Sequence, residues 1–154
     1  MAIRSILVPV DYSEGSGAAL AFAVELAKTF GAVVDVVHVW DRPTYVPEHV
    51  TVHQPTGPSR SLVDLIRENA EQEMDAFIQT AKLPTDIPIT PRLLSGNPAA
   101  TILAELDAAH HDLLVVGTHG RTGLRHLLLG SVAEKLVRLS PVPVLTVPLP
   151  RERL

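Results

Sequence analysis

Short apolar runs alternate along the chain with longer segments in which apolar residues recur every three or four positions. The runs predict buried strands, and the periodic segments predict amphipathic helices. Each predicted strand is separated from the next by a helix, which is the pattern of parallel βαβ units with right-handed crossovers. The predicted strands cover residues 3–10, 33–40, 87–95, 112–117 and 142–147, and the predicted helices begin near residues 13, 61, 97 and 131.

The alternation predicts a single α/β domain over residues 1–154. We expect three layers: a five-stranded, mostly parallel sheet with helices on both faces, in a Rossmann-like fold with strand order 3-2-1-4-5. The run at 33–40 is nearly continuous in apolar character, as expected of a strand covered on both faces. The run at 142–147 contains Pro143. Proline has no backbone N–H to donate to a neighbouring strand, so we expect this strand at an edge of the sheet.

Capping signals mark several helix boundaries. Ser13 is the predicted cap of the first helix, with Asp11 as an alternative, and Gly31 is the residue that ends it. Ser131 and Glu134 have the spacing of a capping box at the start of the last helix. The other two helices are predicted to begin at Ser61 and at the pair Asn97 and Pro98.

The segment 42–58 interrupts this regular pattern. It contains Pro43, Pro47, Pro55 and Pro58. Proline lacks a backbone donor, so four of them exclude a long helix or a central strand. We predict a mobile loop over this segment.

Composition narrows the class of protein. The chain has 154 residues, a net charge of −4 and no cysteine. An acidic chain argues against a nucleic-acid partner, and the absence of cysteine excludes disulfides and thiolate catalysis. No apolar run approaches the length of a membrane span, and the first strand is too short for a signal-peptide core. The expectation is a cytoplasmic protein.

The segment from Gly117 to Ser131 is the strongest functional signal. It follows the apolar run 113–116 and leads into a predicted helix. Where a strand gives way to a glycine-rich turn and a helix start, converging amides and the helix dipole favour a phosphate. No acidic residue lies between Asp112 and Glu134, while Arg121 and Arg125 supply two positive charges. These features predict a phosphorylated small molecule as the ligand.

Common enzyme and metal signatures are absent from the sequence. It has no Gly-x-x-x-x-Gly-Lys-Ser/Thr segment and no Gly-x-Ser-x-Gly elbow. His119 is the best candidate for a general base near the proposed phosphates, without a defined role. No His-Glu-x-x-His pattern is present, so no protein-only metal site is predicted. The seven histidines are scattered over predicted loops and strand ends: His38, His49, His53, His110, His111, His119 and His126.

The spacing Gly-x2-Gly-x9-Gly-Ser resembles the ATP-binding subclass of the universal stress protein family. Other segments are similar to the same family: Val-Pro-Val-Asp-Tyr-Ser at 8–13, Val-His-Val at 37–39, Gly-Asn-Pro at 96–98 and Val-Pro-Val-Leu-Thr-Val at 142–147. The residues that match the glycine spacing are Gly117, Gly120, Gly130 and Ser131.

The resemblance implies a nucleotide site divided into two parts. Asp11 and Val39 would contact adenine or ribose, and Pro9 would shape the first turn. Arg121 lies where the family often has a basic residue, and we expect it, with His119, on the phosphate side. Gly117 and Gly120 would line the ribose and phosphate side, and the phosphates would be held by Gly130, Ser131 and Val132.

Simpler roles remain open for these residues. The glycines could be turn residues, and Ser131 could serve only as a helix cap. Gly130 could be needed for close approach of the phosphates or for a positive φ.

The expected ligand is ATP, or ADP or AMP, with Mg²⁺ or Mn²⁺ bound through the triphosphate. The predicted function is a regulatory, stress-response protein in which the nucleotide stabilises or switches a homo-oligomer. The resemblance implies a homodimer through strand 142–147, with a higher oligomer and a regulatory protein partner left open. The alternatives are a slow ATPase or self-phosphorylating enzyme that uses Ser131 or a nearby hydroxyl, and a scaffold without nucleotide.

Overall fold

A computed structural model describes residues 2–41, 47, 49–53, 55–119 and 129–149. Strands and helices alternate along most of these residues, as the apolar pattern predicts. In chain order the elements are β1 Ser5–Pro9, α1 Glu14–Phe30, β2 Val33–Trp40, β3 Thr51–Val52, β4 Arg60–Ser61, α2 Leu62–Ala81, β5 Ile89–Ser95, α3 Pro98–Ala109, β6 Leu113–Gly117, α4 Ser131–Leu139 and β7 Val144–Val147.

Five of the strands form one sheet in the order β5-β2-β1-β6-β7, and every neighbouring pair in it is parallel. Numbered among themselves, these strands have the order 3-2-1-4-5. The predicted α/β fold class and strand order are therefore confirmed. The chain runs outward from β1 through β2 to β5 and then crosses to β6 on the other side of β1. Ligands of such sheets bind outside the carboxyl ends of the strands at this change of direction.

Helices cover both faces of the sheet. Successive side chains of a strand point to opposite faces, so neighbouring residues of β1 pack in different clusters. Ile6 and Val8 of β1 pack in one core cluster with residues of α1 and α2. Leu7, between them, packs in a second cluster with residues of α3 and α4. All three side chains are fully buried. This double coverage explains why the central strands are apolar throughout.

Two of the predicted helix starts are confirmed by hydrogen bonds. The Ser13 side chain accepts from the Ser16 amide at the start of α1, so Ser13 and not Asp11 is its cap. The Asn97 side chain accepts from the Ala100 amide at the start of α3. Gly31 ends α1 with a φ of 66°, as its predicted role requires.

The predicted capping box at the start of α4 is wrong. Gly130 is the residue before the helix, and Ser131 is the first helical residue. Gly130 has no side chain, so the cap residue itself makes no side-chain capping bond. Ser61 similarly precedes α2 without making a capping bond. Ser131 lies one position inside α4, whereas Ser61 occupies the cap position of α2 without accepting a capping bond.

Part of the proline-rich segment forms a short strand that the apolar pattern did not predict. Thr51 and Val52 pair antiparallel with Ser61 and Arg60. The Leu62 amide donates to the Val50 carbonyl at 2.9 Å, which extends this contact to the start of α2. Thr51 and Val52 are not prolines, so their donors are available for pairing. Residues 42–46, 48 and 54 of the predicted loop lie outside the described residues.

The sheet edge at β7 is as predicted, although its strand is shorter. Pro143 lies just before β7, and its carbonyl accepts from the Leu114 amide at 3.0 Å. The strands at 3–10 and 87–95 are likewise shorter than predicted. In the part of the chain that is described, no helix is long and apolar enough to cross a membrane.

Candidate functional site

A cavity of about 290 Å³ opens at the carboxyl ends of β1, β2 and β6. It lies where the strand order changes direction, as expected for this class of sheet. Two of the predicted site residues, Gly120 and Arg121, lie outside the described residues. The other eight all line the cavity: Pro9, Asp11, Val39, Gly117, His119, Gly130, Ser131 and Val132.

One part of the cavity is an apolar slot. Val37 and Val39 project from the same face of β2, and both are buried. Ile102, one turn along α3 from Pro98, and Val116 of β6 complete the slot. A slot of this composition suits a flat, largely apolar group. Val39 was predicted from the sequence; Val37 was missed, although its position two residues earlier on the same strand indicated it.

Asp11 lies at the rim of the cavity, just after β1. Its Oδ1 atom accepts hydrogen bonds from the Ser13 amide, at 3.0 Å, and from the Ser13 hydroxyl. Its own amide donates to Ser16 Oγ at 3.3 Å. A carboxylate is an acceptor only, so Asp11 is suited to ligand hydroxyls or amines. Ser16 is buried and also lines the cavity, and the sequence alone did not identify it.

His38 forms another part of the cavity wall and was also missed as a site residue. Its Nδ1 atom lies 2.7 Å from the Val10 carbonyl oxygen. Its ring is stacked on that of Tyr12, with centroids 4.3 Å apart. Tyr12 has a φ of 65°, in the left-handed region that aromatic residues rarely adopt. An unusual backbone conformation therefore lies next to Asp11, which lines the cavity.

Gly117 has a packing role that the sequence did not reveal. A Cβ atom at Gly117 would lie 2.6 Å from the Gly15 carbonyl oxygen, and one at Gly15 would overlap the His119 carbonyl. The first turn of α1 thus packs directly on the backbone that follows β6. Gly117 lines the cavity, but its close approach to α1 is the constraint that excludes other residues.

The two ends of the glycine-rich segment meet at the base of the cavity. The Thr118 amide donates to the Val147 carbonyl at 3.0 Å, and the Gly130 amide donates to the Thr118 carbonyl at 2.8 Å. The Gly130 donor is therefore already used within the protein. Gly130 has a φ of −67°, so the alternative that it needs a positive φ is wrong.

The start of α4 faces the cavity. Ser131, Val132 and Ala133 of its first turn all line the cavity. The first intrahelical bond is donated by Glu134 to the Gly130 carbonyl, at 2.8 Å. Helix geometry leaves the amides before it without intrahelical partners, and the cap residue Gly130 has no side chain to accept from them. These amides and the positive end of the helix dipole form a site suited to an anion.

The candidate general base, His119, lines the cavity as well. Its Nδ1 atom is hydrogen-bonded to Thr118 Oγ1 at 2.8 Å, which orients the ring at the cavity edge. Within the described ranges, no group of three or more histidine, aspartate or glutamate residues is placed to hold a metal ion.

Comparison with known proteins gives consistent matches over nearly the whole chain. A sequence model described as the universal stress protein family matches residues 2–148. A universal stress protein of Methanocaldococcus jannaschii is 32% identical, over 97% of this chain and 84% of its own length. Universal stress protein YxiE of Bacillus subtilis is also 32% identical, over 94% of this chain and 98% of its own length.

Solved structures with the same fold include two with nucleotides. A universal stress protein in complex with cAMP has a TM-score of 0.71 and 21% identity, over 97% of this chain and all of its own. A universal stress protein family protein of Arabidopsis thaliana with AMP bound has a TM-score of 0.63 and 18% identity, over 97% of this chain and 94% of its own. At these identities the likeness establishes the fold.

Proposed function

The chain belongs to the universal stress protein family, and we propose that it binds an adenine nucleotide in the cavity at the carboxyl ends of β1, β2 and β6. The bound nucleotide acts as a ligand that stabilises one state of the protein. A ligand that binds one conformation or assembly shifts the equilibrium towards it in proportion to occupancy. The complexes of two structural relatives with cAMP and AMP support this choice of ligand class.

The observation that most supports the proposal is the start of α4, whose cap residue is a glycine, beside the apolar slot. The lining of the cavity consists of two kinds of group: the amides and helix dipole at the start of α4, and the valine side chains of β2 and β6. A nucleotide has the same division between a charged phosphate group and a flat base. Asp11 lies on the rim of this cavity, where a ribose hydroxyl or an exocyclic amine can reach it.

We assign the base to the slot beside Val39 and the phosphates to the amides of Ser131 and Val132. Pro9 shapes the turn before Asp11, and Gly117 and His119 border the ribose and phosphate region. Gly120 and Arg121 belong to the proposed phosphate side. The nucleotide is ATP, with ADP and AMP as alternatives, and Mg²⁺ or Mn²⁺ would bind through the triphosphate.

The proposed phosphate site can be tested by removing one amide from it. Ser131→Pro deletes the amide at the first helical position, where proline is well tolerated. Proline also requires an extended residue before it, and Gly130, with φ −67° and ψ 157°, already has that conformation. Ser131→Ala is the matched control, because it deletes the hydroxyl and keeps the amide.

Titration calorimetry with Mg-ATP should show a larger loss of affinity for Ser131→Pro than for Ser131→Ala. We expect a difference of about 1.5–3 kcal/mol, the range for a hydrogen bond to a charged group. Both variants should unfold cooperatively. Unchanged ATP affinity in a folded Ser131→Pro variant would remove the phosphates from the start of α4. A wild-type protein that binds no adenine nucleotide would overturn the proposed function itself.

A further inference from the structure

The two polar groups of Val10 are both held by β2. The Val10 amide donates to the Val37 carbonyl at 2.8 Å, and the Val10 carbonyl lies 2.7 Å from His38 Nδ1. A carbonyl oxygen can only accept, so Nδ1 bears the proton and donates it. Val10 is 5% exposed, and its remaining surface borders the cavity. A buried carbonyl that loses its partner is costly, and the backbone would shift to find another.

The residues after Val10 form the turn that contains Asp11. Tyr12 adopts a left-handed conformation, which costs free energy in a residue with a large side chain. Its ring is held by the stack on His38 and by contact with Phe77, whose centroid is 5.4 Å away. Ser13 then begins α1. The ring of His38 therefore contacts both residues that flank Asp11.

We propose that His38 is a positioning residue of the nucleotide site: its Nδ1 proton fixes the Val10 carbonyl and, through it, the direction in which the turn presents Asp11. This inference rests on the proposed function. His38 lines the cavity, but its action is on the backbone around Asp11 and hence on the nucleoside part of the ligand. The amides of α4, which serve the phosphates, lie on a different element.

Two substitutions of His38 test the Nδ1 proton and the aromatic ring separately. His38→Asn keeps an N–H donor at nearly the position of Nδ1 and removes most of the ring. His38→Phe keeps a ring that can stack on Tyr12 and removes the donor. Each variant is titrated with Mg-ATP and, separately, with inorganic tripolyphosphate, which lacks the nucleoside. Thermal unfolding of both variants shows whether they remain folded.

We expect His38→Phe to weaken ATP binding by about tenfold, the factor that corresponds to 1.4 kcal/mol, and His38→Asn to weaken it much less. Tripolyphosphate should bind both variants as it binds the wild type. Equal ATP affinity for wild type and His38→Phe overturns the proposal. So does an equal loss for ATP and tripolyphosphate, because a general loss of structure would affect both ligands.

Amide hydrogen exchange of the ligand-free proteins gives a second measurement. Exchange at Asp11 and Tyr12 should be faster in His38→Phe than in wild type, and close to wild type in His38→Asn. Unchanged exchange in a folded His38→Phe variant overturns the role of the Nδ1 proton. If the wild type binds no nucleotide, the proposed function fails, while this exchange comparison still decides whether His38 fixes the turn.

Discussion

Asp11 is the residue that we expect to distinguish one nucleotide from another in the proposed site. Its Oδ1 atom is held by the amide and hydroxyl of Ser13, so the direction of the carboxylate is fixed before any ligand arrives. An acceptor held in this way favours a ligand donor, such as the amine of adenine or a ribose hydroxyl, and disfavours a guanine carbonyl. The proposed selectivity would therefore come from the turn of residues 11–13, which contacts β2 through His38.

At this scale we predict that the protein binds ATP more tightly than GTP. Asp11→Ala should weaken ATP binding by about 1.5–3 kcal/mol, because it removes a charged acceptor. Asp11→Asn is the matched control, since it keeps an oxygen for the Ser13 amide and removes the charge. Titration calorimetry with both purine nucleotides is the measurement. Equal affinities of the wild type for ATP and GTP would show that Asp11 does not read the base.

At the scale of elements, backbone hydrogen bonds to neighbouring segments fix the position of the start of α4. Gly130 donates to Thr118, and Thr118 donates to Val147 of β7, so the helix start is tied to the sheet by two successive backbone bonds. Gly130 itself has no side chain that could accept from the first amides of the helix, and the first turn lines the cavity. A side-chain cap there would compete with an anion for the same donors.

Gly130→Val should nearly abolish ATP binding and leave the fold intact. The backbone of Gly130 is in an extended region that valine adopts readily, and its amide can still donate to Thr118. The loss comes from the isopropyl group at the cavity edge. Thermal unfolding with and without Mg-ATP is the measurement.

At a hundred times its dissociation constant, ATP should stabilise the wild type by about 2.7 kcal/mol. A change of 1 kcal/mol shifts the Tm of a domain of this size by about 2–4 °C, so the wild-type rise should be readily detected. Gly130→Ala should retain more of the rise than Gly130→Val. A Gly130→Val variant that unfolds cooperatively and gains full stabilisation would rule out close approach of the ligand to residue 130.

At the scale of the whole molecule, the open edge of β7 determines how copies of the chain could associate. Strand β6 lies on one side of β7, and the described residues include no strand on the other. The carbonyls of Pro143 and Val147 accept from the amides of Leu114 and Thr118, so they point towards β6. Because backbone groups alternate along a strand, those of Val144 and Thr146 point outward, towards any partner.

We predict a homodimer formed by antiparallel pairing of β7 across a two-fold axis. Thr146→Pro removes an outward donor and leaves the ladder to β6 intact, so it should shift the protein towards monomer. Thr146→Val is the control, since it keeps the donor. Leu145 is less suitable because it packs against the core. Light scattering that finds a wild-type monomer at about tens of micromolar, where weak pairing should persist, would contradict the dimer.

A buried histidine links the stability of the whole fold to pH. His111 is 4% exposed, and its Nδ1 atom is hydrogen-bonded to Ser5 Oγ. Among the residues that the structure describes, its Nε2 atom has no hydrogen-bond partner. Burial lowers the pKa of His111 below its ordinary value of 6.5, and the carboxylates of Asp35 and Glu105, 3.6 and 3.9 Å from Nε2, only partly oppose this. The unfolded chain therefore takes up a proton at a higher pH than the folded protein.

Stability should fall as the pH decreases through 6.5, because the unfolded state then binds more protons than the native state. For each unit by which the pH is lowered in this range, the equilibrium constant for unfolding of the wild type should rise by up to about tenfold relative to that of His111→Asn. His110→Asn is the control: His110 is exposed and has a φ of 54°, which asparagine tolerates. Urea unfolding between about pH 5.5 and 7.5 is the measurement, and parallel pH profiles for wild type and His111→Asn would contradict the prediction.

The sequence by itself determined the features that depend on neighbours along the chain. Apolar periodicity is sufficient for the five main strands and four helices, since each element must bury its apolar face. The caps Ser13, Asn97 and Gly31 act on amides or carbonyls within a few residues. The glycine spacing and the acid-free segment indicated the place of the cavity, and the described residues predicted there do line it.

Tertiary structure decided the features that depend on distant residues. Gly117 must be glycine because Gly15 approaches it, and the Gly130 amide is occupied because Thr118 lies beside it. His38 reaches Val10 only because β1 and β2 pair. Thr51 and Val52 form a strand because residues 60 and 61 return to meet them. None of these partners is fixed by local spacing, since folding brings together segments whose separation along the chain sets no rule for their contacts.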